Sequence, residues 1–189
     1  HGFAEEGPAE PKLIPVDAKT IAAREKSLAE AAPEGARLVA YLDCGAQRES
    51  TTTDAVKIAF VQGKPHRFQS EAEGVLPTQP VIFFHEQEVV FTLSGLDRTK
   101  RYLAGLTWWD YDDGGRTQSV VVASPDRRRV RLAVTAIRLP NYATDEQLPA
   151  EKRFQLPVTF ARDGRMQMTV LHVTGANAVV SELWIWEMN

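Results

Sequence analysis

The pattern of apolar and polar positions changes character at Gly35. Before it, Asp17 to Ala32 (DAKTIAAREKSLAEAA) is rich in helix formers, with Asp17 placed to cap the N-terminus. Ile21 and Leu28 give this helix a thin apolar stripe, and Pro33 and Gly35 end it. After Gly35, short β-branched or apolar runs recur, punctuated by Gly, Pro, Asp and Asn. They are Arg37–Cys44, Val56–Val61, Val81–His85, Glu88–Leu93, Tyr102–Trp109, Thr117–Ala123, Val130–Ile137, Phe154–Phe160, Met166–Thr174 and Val179–Trp186. Strands at this spacing with no helix between them predict an all-β fold, an antiparallel sandwich or barrel. The expected organisation is an N-terminal linker and helix over residues 1–35 and a β-sandwich over 36–189. Leu139–Lys152, the longest polar stretch inside the domain, reads as a surface loop.

Arg101 to Ala123 reads as strand, acidic glycine turn, strand. Alternation puts Tyr102, Leu106 and Trp108 on a core-facing side and Gly105, Thr107 and Trp109 on the other. The second set ends in a tryptophan beside small residues, the make-up of a flat sugar-stacking surface. Asp110, Tyr111, Asp112 and Asp113 follow, and Gly114 and Gly115 turn the chain. In the last strand, Glu182 falls in phase with Trp184 and Trp186, and Ser181 with Leu183 and Ile185. Burying a glutamate without a partner is costly. The expected phase therefore has Leu183 and Ile185 in the core, with Trp184 and Trp186 on the opposite face.

Composition narrows the function classes. The net charge is −3, without the basic excess of a general nucleic-acid binder, and the Arg127–Arg129 run reads as a solvated hairpin tip. No apolar run reaches the roughly 18 residues needed to cross a bilayer. Cys44 is alone, which excludes an internal disulfide and a multi-cysteine zinc site, and it reads as a buried apolar residue. The chain starts at His1, and the Pro-, Glu- and Ala-rich stretch after it resembles the linker behind a secretion signal. That points to a secreted, periplasmic or cell-surface location.

Three stretches carry a family resemblance. Tyr41-Leu42-Asp43-Cys44-Gly45 resembles the opening strand of malectin and malectin-like domains, Val89–Trp109 their paired strands, and 163–187 their closing hairpin. The resemblance implies a galactose-binding-like jelly roll that binds carbohydrate, often attached to a hydrolase or a receptor. The sequence departs from the family at Thr107-Trp108-Trp109-Asp110, where the family has a His-Phe-Ala-Glu-like pattern. The family's sugar-contacting residues have no positional match here.

The residues themselves offer several chemistries. Trp109, Trp184 and Trp186 are candidate platforms for a pyranose ring, with Tyr111 beside them, and Asp110, Asp112 and Arg116 are candidate partners for its hydroxyls. Asp110, Asp112 and Asp113 near a glycine turn also supply part of the oxygen set Ca²⁺ takes, although the spacing is not that of an EF-hand. No spacing singles out a carboxylate pair for glycoside hydrolysis, and no Gly-x-Ser-x-Gly occurs. The expectation is a non-catalytic carbohydrate-binding module with no obligatory cofactor, its enzymatic status left open. Two alternatives stand beside it. One is a structural or protein-interaction sandwich of a larger extracellular assembly. The other is a copper-dependent polysaccharide oxidase, because His1-Gly2 resembles the start of lytic polysaccharide monooxygenases, with His66, His85 or His172 as a second ligand.

Overall fold

The computed structural model describes residues 10–69, 75–141, 144 and 151–189. The elements in chain order are α1 (Ala18–Glu30), β1 (Ala36–Asp43), β2 (Lys57–Gln62), β3 (Lys64–Arg67), β4 (Val81–His85), β5 (Glu88–Ser94), β6 (Arg101–Thr107), β7 (Thr117–Ala123), β8 (Val130–Arg138), β9 (Glu151–Gln155), β10 (Met166–Thr174), β11 (Ala178–Val180) and β12 (Glu182–Met188). They form a four-stranded sheet, β1-β12-β6-β9, a five-stranded sheet, β2-β5-β10-β7-β8, and a small sheet, β11-β4-β3. Every ladder between these strands is antiparallel. Of the antiparallel sandwich or barrel that the strand spacing predicts, the architecture is the sandwich, the jelly-roll form that the resemblance implies.

Alternation along the strands builds the core. Tyr102, Ala104, Leu106, Leu183 and Ile185 from the four-stranded sheet meet Phe91, Val120, Val122, Met168 and Val170 from the five-stranded one. Cys44 is buried among them, and desolvation pushes its thiol well above the usual range, which leaves it unreactive.

The opposite face of the four-stranded sheet is covered by α1. Asp17 caps the helix, its carboxylate accepting from Lys19 N at 3.1 Å. Leu28 and Ile21 then pack on Tyr41, Trp184 and Trp186. The helix stripe is thin, so the tryptophans supply most of the apolar contact, at roughly 150–250 Å² each. Trp186 Nε1 donates to Leu28 O at 3.0 Å. Gly105 makes room for this layer: a Cβ there would lie 2.2 Å from Trp184 Cε2.

Four expectations change. The run Val179–Trp186 is two strands in different sheets, broken at Ser181, whose N donates to Thr107 O and whose O accepts from Cys44 N. Lys64–Arg67 is a strand that the pattern did not announce, because Pro65 removes a donor; it sits at an edge, where proline is tolerated. The run Phe154–Phe160 ends as a strand at Gln155, ahead of Pro157, and closes in a 3₁₀ turn over Val158–Phe160. Most of the Leu139–Lys152 loop lies outside the described residues, while Glu151 and Lys152 begin β9.

Candidate functional site

The small sheet and the loop between β6 and β7 form the walls of a cleft of about 190 Å³. Its sheet wall follows from register. His66 of β3 sits opposite Ile82 of β4, and Phe84 sits opposite Val179 of β11, so these side chains share one face. Phe68, just past β3, lies edge-on to the His66 ring at 4.7 Å and stacks on Tyr111 at 4.6 Å, with 7° between the two planes. The Tyr111 hydroxyl is anchored to Gln79 O and to Ser181 Oγ. The result is an aromatic surface held from behind.

The loop wall is polar and organised around Arg116. Its side chain is 2% exposed, with Nη1 donating to Asp110 Oδ1 at 2.7 Å and to Asp112 Oδ1, and Nε donating to Asn177 Oδ1 at 2.9 Å. Nη2 takes no part in these bonds. Asp110 in turn accepts from Gly114 N and Gly115 N, both at 2.9 Å, which closes the turn around its carboxylate. Gly175 presses on the same turn; it holds φ +90°, and a Cβ there would meet Gly115 O at 2.5 Å. The Arg116 guanidinium holds the Asp112 carboxyl below its usual range, so Asp112 stays ionised. A buried, three-point-bonded guanidinium beside a carboxylate and an amide presents donors and acceptors in fixed directions. Such a set can pair with hydroxyl groups without rearrangement.

Of the sequence-predicted residues, Asp110, Tyr111, Asp112 and Arg116 come together here. Asp112 and Arg116 line the cleft, Tyr111 backs Phe68, and Asp110 is buried as the support for Arg116. The tryptophans do not join them. Trp109, Trp184 and Trp186 are all 0% exposed. Trp184 and Trp186 face away from the sandwich core, as the phase predicts, but α1 covers them, so neither offers a ring to a ligand. Glu182 keeps that phase too, yet it is buried, because five hydrogen bonds from four side chains satisfy its carboxylate. Sequence reasoning missed Phe68, Phe84 and Asn177, and it read His66 as a candidate copper ligand where the structure places it in the cleft wall. A period-two signal was present in His66-Arg67-Phe68, and in Phe83-Phe84 one ring had to face outward.

The metal expectations find no support in the geometry. Arg116 occupies the position between Asp110 and Asp112 that a cation would take. Among the described residues, no group of three His, Cys, Asp or Glu side chains is placed to hold an ion. His1 lies outside the described residues. His85 Nδ1 accepts from Gln87 N and Glu88 N, and His172 Nε2 contacts Gly175 O, so these two rings serve separate turns.

Comparison with known proteins gives a likeness of fold. No protein-family model matches the chain. No curated protein matches it either. Among solved structures, the extracellular domain of ANXUR2 from Arabidopsis thaliana superposes with a TM-score of 0.56 and 9% identity, over 82% of this chain and 49% of its own. The CBM22-1 xylan-binding domain of Paenibacillus barcinonensis Xyn10C gives 0.50 and 10%, over 84% of this chain and 99% of its own. A calcium-binding mutant of Bacteroides uniformis β-glucuronidase 2 gives 0.51 and 10%, over 70% of this chain. The match spans only 14% of that glucuronidase. The chain is thus a β-sandwich of the architecture these three structures share.

Proposed function

We propose that this chain is a non-catalytic carbohydrate-binding domain of a secreted or surface protein, and that the cleft between the small sheet and the β6–β7 loop is its site. The observation that carries the reading is the pairing of a braced aromatic wall, Phe68 on Tyr111 with His66 and Phe84, with the fixed polar set of Arg116, Asp112 and Asn177. A pyranose has C–H faces that pack on aromatic rings and hydroxyls that pair with preset donors and acceptors. The xylan-binding domain and the plant ectodomain of the same architecture agree with a glycan ligand and an extracellular setting.

The carboxylates support the non-catalytic reading. Glycoside hydrolysis takes two, one of them kept protonated as an acid. Among the described residues lining the cleft, Asp112 is the single carboxylate, and Arg116 pulls it the wrong way for an acid.

The test is affinity electrophoresis of the full chain against a polysaccharide panel that includes xylan, followed by titration calorimetry. Retention on a defined polysaccharide is expected, weakened about tenfold in Phe68→Ala, the scale of one lost stacking contact. Retention by no glycan, or full retention by Phe68→Ala, would sink the proposal.

A further inference from the structure

Among the described residues, the five-stranded sheet has one covered edge and one open edge. At the β2 edge, Phe60 N donates to Arg48 O and Ser50 N to Ile58 O, so the preceding loop closes it. At the other, among the described residues β8 pairs with β7 alone. It is nine residues long, and Val130 and Leu132 on it are 56% and 51% exposed. An open strand of that length with exposed apolar side chains is a pairing template. Ala133, Val134 and Ile137 pack on the core, which keeps the strand in place.

The charge around this edge is one-sided. Arg127, Arg128, Arg129 and Arg131 lie on β8 or the turn leading into it, and Arg162 reaches the same turn. One carboxylate, Asp126, serves Arg162 at 2.9 Å and Arg128 at 3.9 Å. Arg129 is engaged with Thr159 O and the Phe160 ring. Arg127 and Arg131 are exposed and form no ion pair among the described residues.

We propose that β8 is a docking edge for an extended acidic segment of another polypeptide, which adds to the sheet as a sixth strand. The backbone of β8 supplies the hydrogen bonds, Val130 and Leu132 take apolar side chains at alternate positions, and Arg127 and Arg131 select acidic ones between them. A second copy of this chain is disfavoured, since pairing β8 with β8 brings arginines against arginines. A polyanionic glycan or nucleic acid would leave Val130 and Leu132 without apolar partners, and β8 itself carries no interleaved aromatics for stacking. The interaction goes beyond the carbohydrate reading and uses none of the cleft.

The experiment uses the full chain and three labelled nonapeptides, followed by fluorescence anisotropy and amide hydrogen exchange. The first alternates Glu and Val, the second is the same peptide N-methylated at alternate amides, and the third alternates Lys and Val. The Glu/Val peptide is expected to bind and to slow exchange along β8. The N-methylated peptide, short of several backbone hydrogen bonds, should bind about tenfold more weakly or worse. Charge reversal in Arg131→Glu or, independently, Arg127→Glu should weaken the Glu/Val peptide while leaving the melting temperature in place, and the Lys/Val peptide should not bind. Equal binding of the methylated peptide would reduce the effect to charge attraction and overturn strand addition. Binding that ignores both charge reversals, or self-association through β8 in sedimentation, would overturn the acidic partner.

Discussion

Arg24 of α1 grips Glu182 of β12 through two parallel hydrogen bonds, Nε to Oε1 at 2.7 Å and Nη2 to Oε2 at 3.1 Å. The carboxylate is fully buried and also accepts from Tyr41, Thr78 and Thr107. Among the described residues, a helix with a weak apolar stripe is therefore fixed to the sheet at a single charged point, with Trp184 under the guanidinium at 5.8 Å.

Removing one partner of a buried pair leaves an uncompensated charge, a loss of about 3–5 kcal/mol. Arg24→Met is expected to lower the melting temperature by roughly 6 °C or more, at about 2–4 °C per kcal/mol for a chain of this size. Adding Glu182→Gln should restore part of that loss, because the neutral amide still meets the hydroxyl donors. Thermal unfolding of the two variants checks the order; a double variant less stable than Arg24→Met would contradict it.

Asp43 stands opposite Glu182 in the β1–β12 register, and neither of its carboxylate oxygens has a hydrogen-bond partner among the described residues. Burial first, then the charge of Glu182, pushes its pKa up to about 9. Between the ordinary aspartate value near 4 and about 9, the folded protein holds a proton that the unfolded chain has released. Stability contributed by this group is complete below the lower value and falls as pH rises through the window. Asp43→Asn should flatten that slope and stabilise the protein most near pH 9, measured as denaturation midpoints at pH 5, 7 and 9. An unchanged slope would mean that Asp43 titrates normally.

Trp109→Ala separates platform from core. The side chain has no exposed surface, so truncation should destabilise by about 3–5 kcal/mol. Phe68→Ala, at the half-buried cleft wall, should instead lose ligand with a small change in melting temperature. The reverse assignment of the two phenotypes would return Trp109 to the binding surface.

Gly105→Ala forces a methyl group to within 2.2 Å of Trp184 unless the layer shifts. A loss of about 1–3 kcal/mol or more follows from overpacking. The near-ultraviolet circular dichroism of the tryptophans should change with it, and a silent substitution would show that the α1 layer is loose.

The fold was legible because period-two runs and turn residues are local signals. Tyr102, Leu106 and Trp108 declare their face by alternation alone, whereas the phase of Leu183 and Ile185 was chosen on the cost of burying Glu182, which is buried after all with its carboxylate satisfied. The site was half legible. Asp110 through Arg116 announced a polar turn, yet nothing in a single strand tells an outer face open to solvent from one beneath a helix. Trp184 and Trp186 looked like a platform for that reason: α1 is more than 150 residues away in sequence and its stripe is thin. His66 and Phe68 were not read as a cleft wall because Pro65 disguised β3, and because a wall assembled from three short strands depends on long-range register.

The cover that α1 provides also sets where this fold can be cut. A chain trimmed to begin at Ala36 would keep every strand and still expose Trp184 and Trp186, together with a glutamate stripped of its arginine. It would behave as a sticky, acid-bearing fragment whose affinity for surfaces says nothing about the intact protein. Experiments on the isolated sandwich should therefore start ahead of Pro11, whose carbonyl accepts from Arg48, so that the helix travels with the sheet it seals.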